Sequence, residues 1–192
     1  MIAQPNEPLT QAEFLEWELW QEAKHEFVDG YIYPLFGDRS VLGLAGGTGA
    51  HNQLATELIS IILPAARPSR TYSSDVRIET ARSTRYADVF LTCDERDRND
   101  SLVMRHPKFI LEVLSESTAR EDLGPKMRDY QSIDTLEEYV MLDSRKRWVQ
   151  LLQRSDAGWR LSPATTAGIL DCASIPLSID LDALYDTVGI PS

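Results

Sequence analysis

The chain has 192 residues, of which 43% are hydrophobic and 26% are charged, so it can form one folded domain with a sizeable core. No apolar run reaches the roughly 18–20 residues that a membrane span needs, and the two cysteines are too few for a disulfide framework or a zinc cluster. The composition therefore argues against a membrane protein, a disulfide-stapled secreted domain and a zinc finger, and it predicts a reducing, cytoplasmic setting.

The net charge is -11, from 30 Asp and Glu against 19 Lys and Arg. Binding of nucleic acid depends largely on neutralising phosphates with Lys and Arg, so this charge speaks against a polyanionic substrate. The excess of acids is concentrated in residues 1–30 and 171–192, however, and the part between them is nearly neutral. The charge weakens the case for nucleic acid without removing it.

Apolar periodicity, capping residues and turn residues predict the elements in chain order. After a flexible leader at 1–8, they are a helix at 9–23, a hairpin at 25–33, a glycine-rich loop at 43–49, a helix at 51–66, strands at 75–78 and 88–93, a charged loop at 94–101, a strand at 109–114, a helical segment at 118–131 interrupted at Gly124-Pro125, strands at 139–142, 148–153 and 159–161, and a helix at 181–188. The pattern predicts a single α/β domain over 9–192, with a mixed β-sheet flanked by helices.

Glu112 is the most informative residue, because it lies in the middle of the apolar segment Phe109-Ile-Leu-Glu-Val-Leu114. Ionised carboxylates are almost never buried unless they are paired or bound to a metal. Three interpretations remain open: an edge strand with Glu112 facing solvent, a structural ion pair, and a functional carboxylate.

Asp88 favours the third interpretation. It begins a second strand, Asp88-Val-Phe-Leu, and if the two strands are neighbours, Asp88 and Glu112 can present oxygens to one point. Mg²⁺ is commonly bound in this way, by one or two carboxylates together with water and substrate phosphates. An acid at the start of a strand is otherwise an ordinary turn residue.

Three further residues are candidates with ordinary alternatives. Lys126 follows Glu112 near the start of a helix and could equally be a solvated surface lysine. Glu26 lies in the first strand of the hairpin, where a surface acid is the simpler interpretation. His51 follows the glycine-rich loop at the start of a helix, where a capping or packed histidine is as plausible as a functional one.

The order of these residues resembles a known family. Asp88-Val-Phe-Leu, Glu112-Val-Leu-Ser-Glu-Ser-Thr and Asp122-Leu-Gly-Pro-Lys126-Met-Arg-Asp-Tyr130 are similar to the Uma-type endonucleases, a branch of the restriction-endonuclease-like PD-(D/E)XK superfamily. The resemblance covers residues 9–188 and implies a restriction-endonuclease-like core.

The resemblance also implies a mechanism. Asp88 and Glu112 would hold Mg²⁺ or Mn²⁺ with the carbonyl of Val113, and Glu26 would be an additional nearby acid. Lys126 would orient or deprotonate the attacking water or stabilise phosphoryl charge, and His51 would lie near the site. The implied substrate is DNA, with RNA left open, and the implied assembly is a homodimer, because cutting two strands requires two sites.

Two positions depart from the superfamily pattern. The lysine expected two residues after the glutamate is Leu114, so the cation must come from elsewhere, with Lys126 the first candidate and Lys108 the second. The proline expected before the aspartate is Ala87, which matters less because proline binds no metal. Two alternatives to a nuclease therefore stay open: a catalytically inactive nuclease fold that binds nucleic acid or a protein, and a structural protein in which the acids form a buried ion network.

Overall fold

The computed structural model describes residues 7–35, 48–99, 102–116 and 118–191. Its helices are α1 Gln11–Glu18, α2 Gly49–Ala65, α3 Ala119–Glu121, α4 Met127–Gln131 and α5 Leu181–Val188, with a 3₁₀ turn at Glu95–Asp97 and a π-helical turn at Asp122–Lys126. Its strands are β1 His25–Val28, β2 Tyr31–Pro34, β3 Arg70–Ser73, β4 Arg77–Glu79, β5 Ser83–Tyr86, β6 Val89–Thr92, β7 Val103–Met104, β8 Phe109–Leu114, β9 Glu138–Asp143, β10 Val149–Ser155, β11 Gly158–Leu161, β12 Ile169–Cys172 and β13 Leu177–Asp180. The predicted α/β class is confirmed.

Most strands belong to two mixed sheets. A six-stranded sheet has the order β11-β10-β9-β8-β6-β3, with β8 and β9 parallel, and a five-stranded sheet has the order β2-β1-β5-β4-β7. A separate hairpin pairs β12 with β13. The sequence predicted one mixed sheet, since strands such as Arg70–Ser73 and Ser83–Tyr86 are polar and show no apolar alternation.

β8 lies in the middle of the six-stranded sheet, and all of its residues are buried. Side chains alternate between the two faces of a strand. Leu111 and Val113 accordingly pack with α2, whereas Ile110 and Leu114 pack with Tyr130 of α4 on the other face. The interpretation of Glu112 as a solvent-facing side chain on an edge strand is therefore wrong.

The beginning of the chain follows the predicted local signals. Thr10 caps α1 and forms the predicted capping box with Glu13. The Asp29-Gly30 turn joins β1 and β2, and both residues have positive φ, at 50° and 94°, as a tight two-residue hairpin turn requires. Most of the predicted leader and of the glycine-rich loop lies outside the described residues, namely at 1–6 and 43–47.

The helical segment after β8 does not break at Gly124-Pro125. Pro125 has no N–H to donate, and the chain accommodates it in the π-helical turn between α3 and α4. Turns of this kind are frequent at functional sites. Here the turn begins at Asp122 and ends at Lys126, and both side chains are buried. Among the described helices, none is both long and apolar enough to cross a membrane.

α2 carries His51 toward the six-stranded sheet, so its packing can be tested. Leu58 is fully buried in the core, whereas Leu63 of the same helix is 49% exposed. We expect Leu58→Ala to lower the free energy of unfolding by about 2–5 kcal/mol, because it leaves a cavity, and Leu63→Ala to change it by no more than about 0.5 kcal/mol. Urea denaturation of both variants measures this difference, and equal losses would mean that α2 does not pack as described.

Candidate metal and catalytic site

Asp88 lies where the chain passes from one sheet to the other. β5 ends at Tyr86 in the five-stranded sheet, and β6 begins at Val89 in the six-stranded sheet. β6 pairs with β8 only as far as Leu111. Glu112 and Val113 still pair with β9 on one edge of β8, but on the other edge they face Asp88 instead of a strand. The separation of the two strands leaves their backbone groups available to side chains.

Cross-strand hydrogen bonds bring the two predicted carboxylates together. The N–H of Asp88 donates to Oε2 of Glu112 at 3.2 Å. The N–H of Val113 donates to Oδ2 of Asp88 at 2.8 Å. Each acid is thus bonded to the backbone beside the other, so the two side chains converge on one face of the junction.

Glu112 is almost completely buried, with 2% of its surface exposed. Its Oε1 lies 3.2 Å from Nζ of Lys126 and accepts a hydrogen bond from the Tyr130 hydroxyl at 3.3 Å. Burial raises the pKa of Glu112 well above its ordinary value, against the opposing effect of Lys126. Burial disfavours the ionised form of this carboxylate, so an additional positive charge nearby would stabilise that form.

Lys126 is the cation at the centre of the site. Nζ donates to the carbonyl oxygen of Tyr86 at 3.0 Å and lies 3.2 Å from Oδ1 of Asp122 and 3.7 Å from Oε1 of Glu26. Burial alone would lower the pKa of Lys126, but the surrounding carboxylates, with Glu112 foremost, hold it well above its ordinary value. This direction of the pKa favours the charged ammonium form, and at 7% exposure Lys126 is not a surface lysine.

Asp122 is a site residue that the sequence analysis did not single out, although it begins one of the motif segments. It is 1% exposed, and burial raises its pKa above the ordinary value, to which the charge of Asp88 adds. Its spacing of four residues from Lys126 on a helical segment was the available signal, because such pairs face each other.

His51 contacts the exposed side of Asp88. Its Nε2 lies 3.4 Å from Oδ2 of Asp88, and both side chains are slightly under one-fifth exposed. The hydrogen bond with Asp88 raises the pKa of His51, and the Val113 backbone adds to the effect. Burial opposes ionisation of Asp88, yet His51 and the N–H of Val113 keep its pKa below the ordinary value.

Glu26 connects the site to a second group of charges. Its Oε2 accepts a hydrogen bond from Nη1 of Arg85 at 2.8 Å, and Arg85 also donates to Oδ2 of Asp129 from Nε and Nη2. Burial opposes the charge of Arg85, but Glu26 and Asp129 raise its pKa above the ordinary value. Arg85 and Asp129 were not anticipated, because nothing in the sequence distinguishes them from surface charges.

The charges in this site suit a divalent cation. Four carboxylates, those of Glu26, Asp88, Glu112 and Asp122, lie beside one ammonium group, one imidazole and, at Glu26, the guanidinium of Arg85. In the described part of the chain, no three His, Cys, Asp or Glu side chains form a ready coordination sphere. The donors present are oxygens, and Mg²⁺ is usually bound by one or two carboxylates with the oxygens of water and substrate completing its shell.

The first departure from the superfamily pattern, Leu114 in place of a lysine, has a structural explanation. Leu114 is 1% exposed and packs with Tyr130 and Tyr139, so that position contributes to the core and supplies no cation. Lys126 reaches the same carboxylate from the helical segment. Lys108, the second candidate, lies at the opposite end of β8, where its Nζ is 3.7 Å from Oε1 of Glu137.

The fold is shared with known proteins. The family model of Uma2, described as "Putative restriction endonuclease", matches residues 11–183 of this chain. The architecture is restriction-endonuclease-like, as predicted, and the chain belongs to the Uma2 family.

Two relatives come from Synechocystis sp. (strain ATCC 27184 / PCC 6803 / Kazusa). The "Uncharacterized protein slr1290" is 30% identical over 186 residues, covering 94% of this chain and 93% of the relative. The "Uncharacterized protein sll1609" is 32% identical over 170 residues, covering 84% and 90%. The crystal structure of "a putative nuclease belonging to DUF820" from Anabaena variabilis ATCC 29413 superposes with a TM-score of 0.72 at 14% identity, covering 94% of this chain and 99% of that one. At this identity the superposition shows a shared fold.

Lys126 is the counter-charge of three buried acids, and the free energy of unfolding of a variant without this charge tests that role. Lys126→Met keeps the length of the side chain but leaves Glu26, Glu112 and Asp122 facing one another. We expect a loss of about 3–5 kcal/mol in the free energy of unfolding at neutral pH, as is typical when one partner of a buried ion pair is removed. Urea denaturation provides the measurement.

Lys108→Met is the matched control, because Lys108 is 32% exposed and only loosely paired. Its expected effect is at most about 1 kcal/mol. If Lys126→Met were as stable as the control, the carboxylates would not depend on the ammonium group.

Proposed function

We propose that the protein is a metal-dependent endonuclease that hydrolyses phosphodiester bonds of DNA. The observation that carries the proposal is the convergence of Asp88 and Glu112 at the junction of the two sheets, beside the ammonium group of Lys126. Membership in a family described as "Putative restriction endonuclease" supports the same reaction class.

In this proposal Asp88, Glu112 and the carbonyl of Val113 hold Mg²⁺ or Mn²⁺. Bound there, the ion would neutralise phosphate charge, lower the pKa of a bound water and stabilise the leaving 3′ oxygen. The raised pKa of Glu112 is compatible with this assignment, because burial disfavours the ionised carboxylate more than Lys126 stabilises it, and a bound cation would favour ionisation.

Lys126 would act as a hydrogen-bond donor and a fixed charge. Its raised pKa keeps it protonated, so it is poorly suited to remove a proton from water. It can instead orient the attacking water or stabilise negative charge on the phosphoryl oxygens as the transition state forms. Of the roles that the family resemblance implies, this one agrees best with the electrostatics.

Glu26 and His51 would assist from the two sides of the site. Glu26 shares its carboxylate between Lys126 and Arg85, so it holds the ammonium group in place. His51 lies on the partly exposed side of Asp88, where it can orient that carboxylate or donate a hydrogen bond to a phosphate oxygen. On a DNA duplex, two such sites in a homodimer would cut the two strands. The same chemistry would hydrolyse RNA.

A second candidate is a nuclease fold that binds nucleic acid or a protein without cleaving it. The observation that favours it is Leu114, a buried core residue in place of the usual lysine. An activity measurement separates the two candidates.

Isosteric variants of the two acids provide that measurement. We expect the wild-type protein to cleave DNA with Mg²⁺ or Mn²⁺, and Asp88→Asn and Glu112→Gln each to reduce the rate by more than the roughly 10- to 100-fold typical of residues outside the coordination shell. Plasmid nicking and cleavage of a labelled duplex give the rates. Glu137→Gln is the control, because Glu137 is half-exposed and lies at the opposite end of β8.

Thermal unfolding with and without Mg²⁺ shows whether a variant that cleaves more slowly has also lost the ability to bind the metal ion. A ligand that binds only the folded state raises Tm, so Mg²⁺ should raise Tm for the wild type and for Glu137→Gln but not for Glu112→Gln. A wild-type protein that gains stability from Mg²⁺ yet cleaves neither DNA nor RNA would support the inactive binding module. Equal rates in wild type and Glu112→Gln would refute the assignment of the site.

A further inference from the structure

A pocket of about 490 Å³ is lined by Lys126 but not by Asp88 or His51. Three parts of the fold form its wall: the β1–β2 hairpin, Arg85 of β5, and the helical segment from Thr118 to Lys126. Glu26 and Lys126 belong both to this wall and to the proposed catalytic site. A ligand in the pocket would therefore lie next to the reacting phosphate.

The hairpin side of the pocket offers an aromatic surface. Tyr33 lines the pocket, and 47% of its surface is exposed although it lies on a strand. Val28 and Pro34 extend the apolar wall beside it, and Pro125 faces them from the helical segment. Exposed aromatic rings beside a nucleic-acid site commonly serve as stacking platforms, because every base has a π-face.

The opposite side of the pocket offers hydrogen-bond acceptors. Glu121 is 44% exposed, and its Oε1 lies 3.1 Å from Nη1 of Arg85. Asp122 contributes a second carboxylate on this side and Glu26 a third from β1 of the hairpin, while Arg85 and Lys126 are already engaged in ion pairs. Such a surface repels phosphate but accepts hydrogen bonds from amino groups, as carboxylates do from N4 of cytosine.

We infer that this pocket binds a single unpaired nucleobase carrying an amino group, stacked on Tyr33 and hydrogen-bonded to Glu121. The inference rests on the proposed function, because it takes nucleic acid as the substrate. It adds the substrate class: a single strand, or a duplex from which the base beside the cleaved bond is extruded. A base inside an intact duplex cannot enter, because its neighbours and its partner cover both its faces and its pairing edge.

Binding of short single-stranded oligonucleotides tests the pocket apart from cleavage. Fluorescence anisotropy with labelled oligodeoxycytidine and oligodeoxythymidine of equal length, in Ca²⁺ without Mg²⁺, should give tighter binding of oligodeoxycytidine. Tyr33→Ala should weaken that binding roughly 5- to 150-fold, the effect of losing one stacked base, whereas Tyr33→Phe should keep it. Glu121→Gln should reduce the preference for cytosine over thymine, since an amide donates as readily as it accepts.

Tyr31→Ala is the matched control. Tyr31 lies on the same strand two residues away and is similarly exposed at 44%, but it does not line the pocket. Equal affinities for Tyr33→Ala and Tyr31→Ala, or no binding of single strands by the wild type, would overturn the inference.

The two proposals fail in different ways. If wild type and Tyr33→Ala cleave DNA at the same rate and bind single-stranded oligonucleotides with the same affinity, the proposed base-binding pocket is wrong and the proposed nuclease activity stands. If single-stranded oligonucleotides bind in a way that depends on Tyr33, but the protein cleaves no nucleic acid with Mg²⁺ or Mn²⁺, the base-binding pocket stands and the nuclease activity is wrong.

Discussion

The site depends on one electrostatic constraint: three carboxylates are buried around one ammonium group, and Glu26 also pairs with the guanidinium of Arg85. Glu26, Glu112 and Asp122 each lie within 3.7 Å of Nζ of Lys126, and all four residues are less than a tenth exposed. A fold normally avoids such an excess of buried negative charge, because desolvation makes every unpaired ion costly. Two of these acids respond with raised pKa values, and a divalent cation is the alternative way to balance them.

The fold creates this constraint by separating two sheets at one point. Past Leu111, β8 loses its pairing with β6, because the chain at Asp88 has turned toward the five-stranded sheet. The helical segment that follows β8 covers the resulting gap, and its π-helical turn presents Asp122 and Lys126 together. Glu112 lies on a strand and Lys126 on a helical segment, and positions on such elements are held more precisely than positions on loops.

The interpretation of Glu112 illustrates how far a sequence pattern reaches. An acid inside an apolar strand indicated that the carboxylate is either exposed or paired, and neighbouring motifs favoured a partner. The structure rejects the exposed alternative, because β8 is central and Glu112 is buried, and it supplies Lys126 and Tyr130 as partners. Glu112 is therefore a paired carboxylate, as its place in an apolar strand requires.

The sequence by itself determined the order of the main elements, the capping box of α1, the Asp29-Gly30 hairpin and the candidates Asp88, Glu112 and Lys126, since local periodicity and short motifs carry this information. It did not determine the division into two sheets or the inclusion of Arg85, Asp122 and Asp129 in the charge network. Those depend on contacts between residues far apart in the chain: Arg85 meets Asp129 only because β5 and α4 pack together. Isolated charged residues look alike along a sequence. Burial distinguishes a site residue from a surface residue, and the tertiary structure decides which residues are buried.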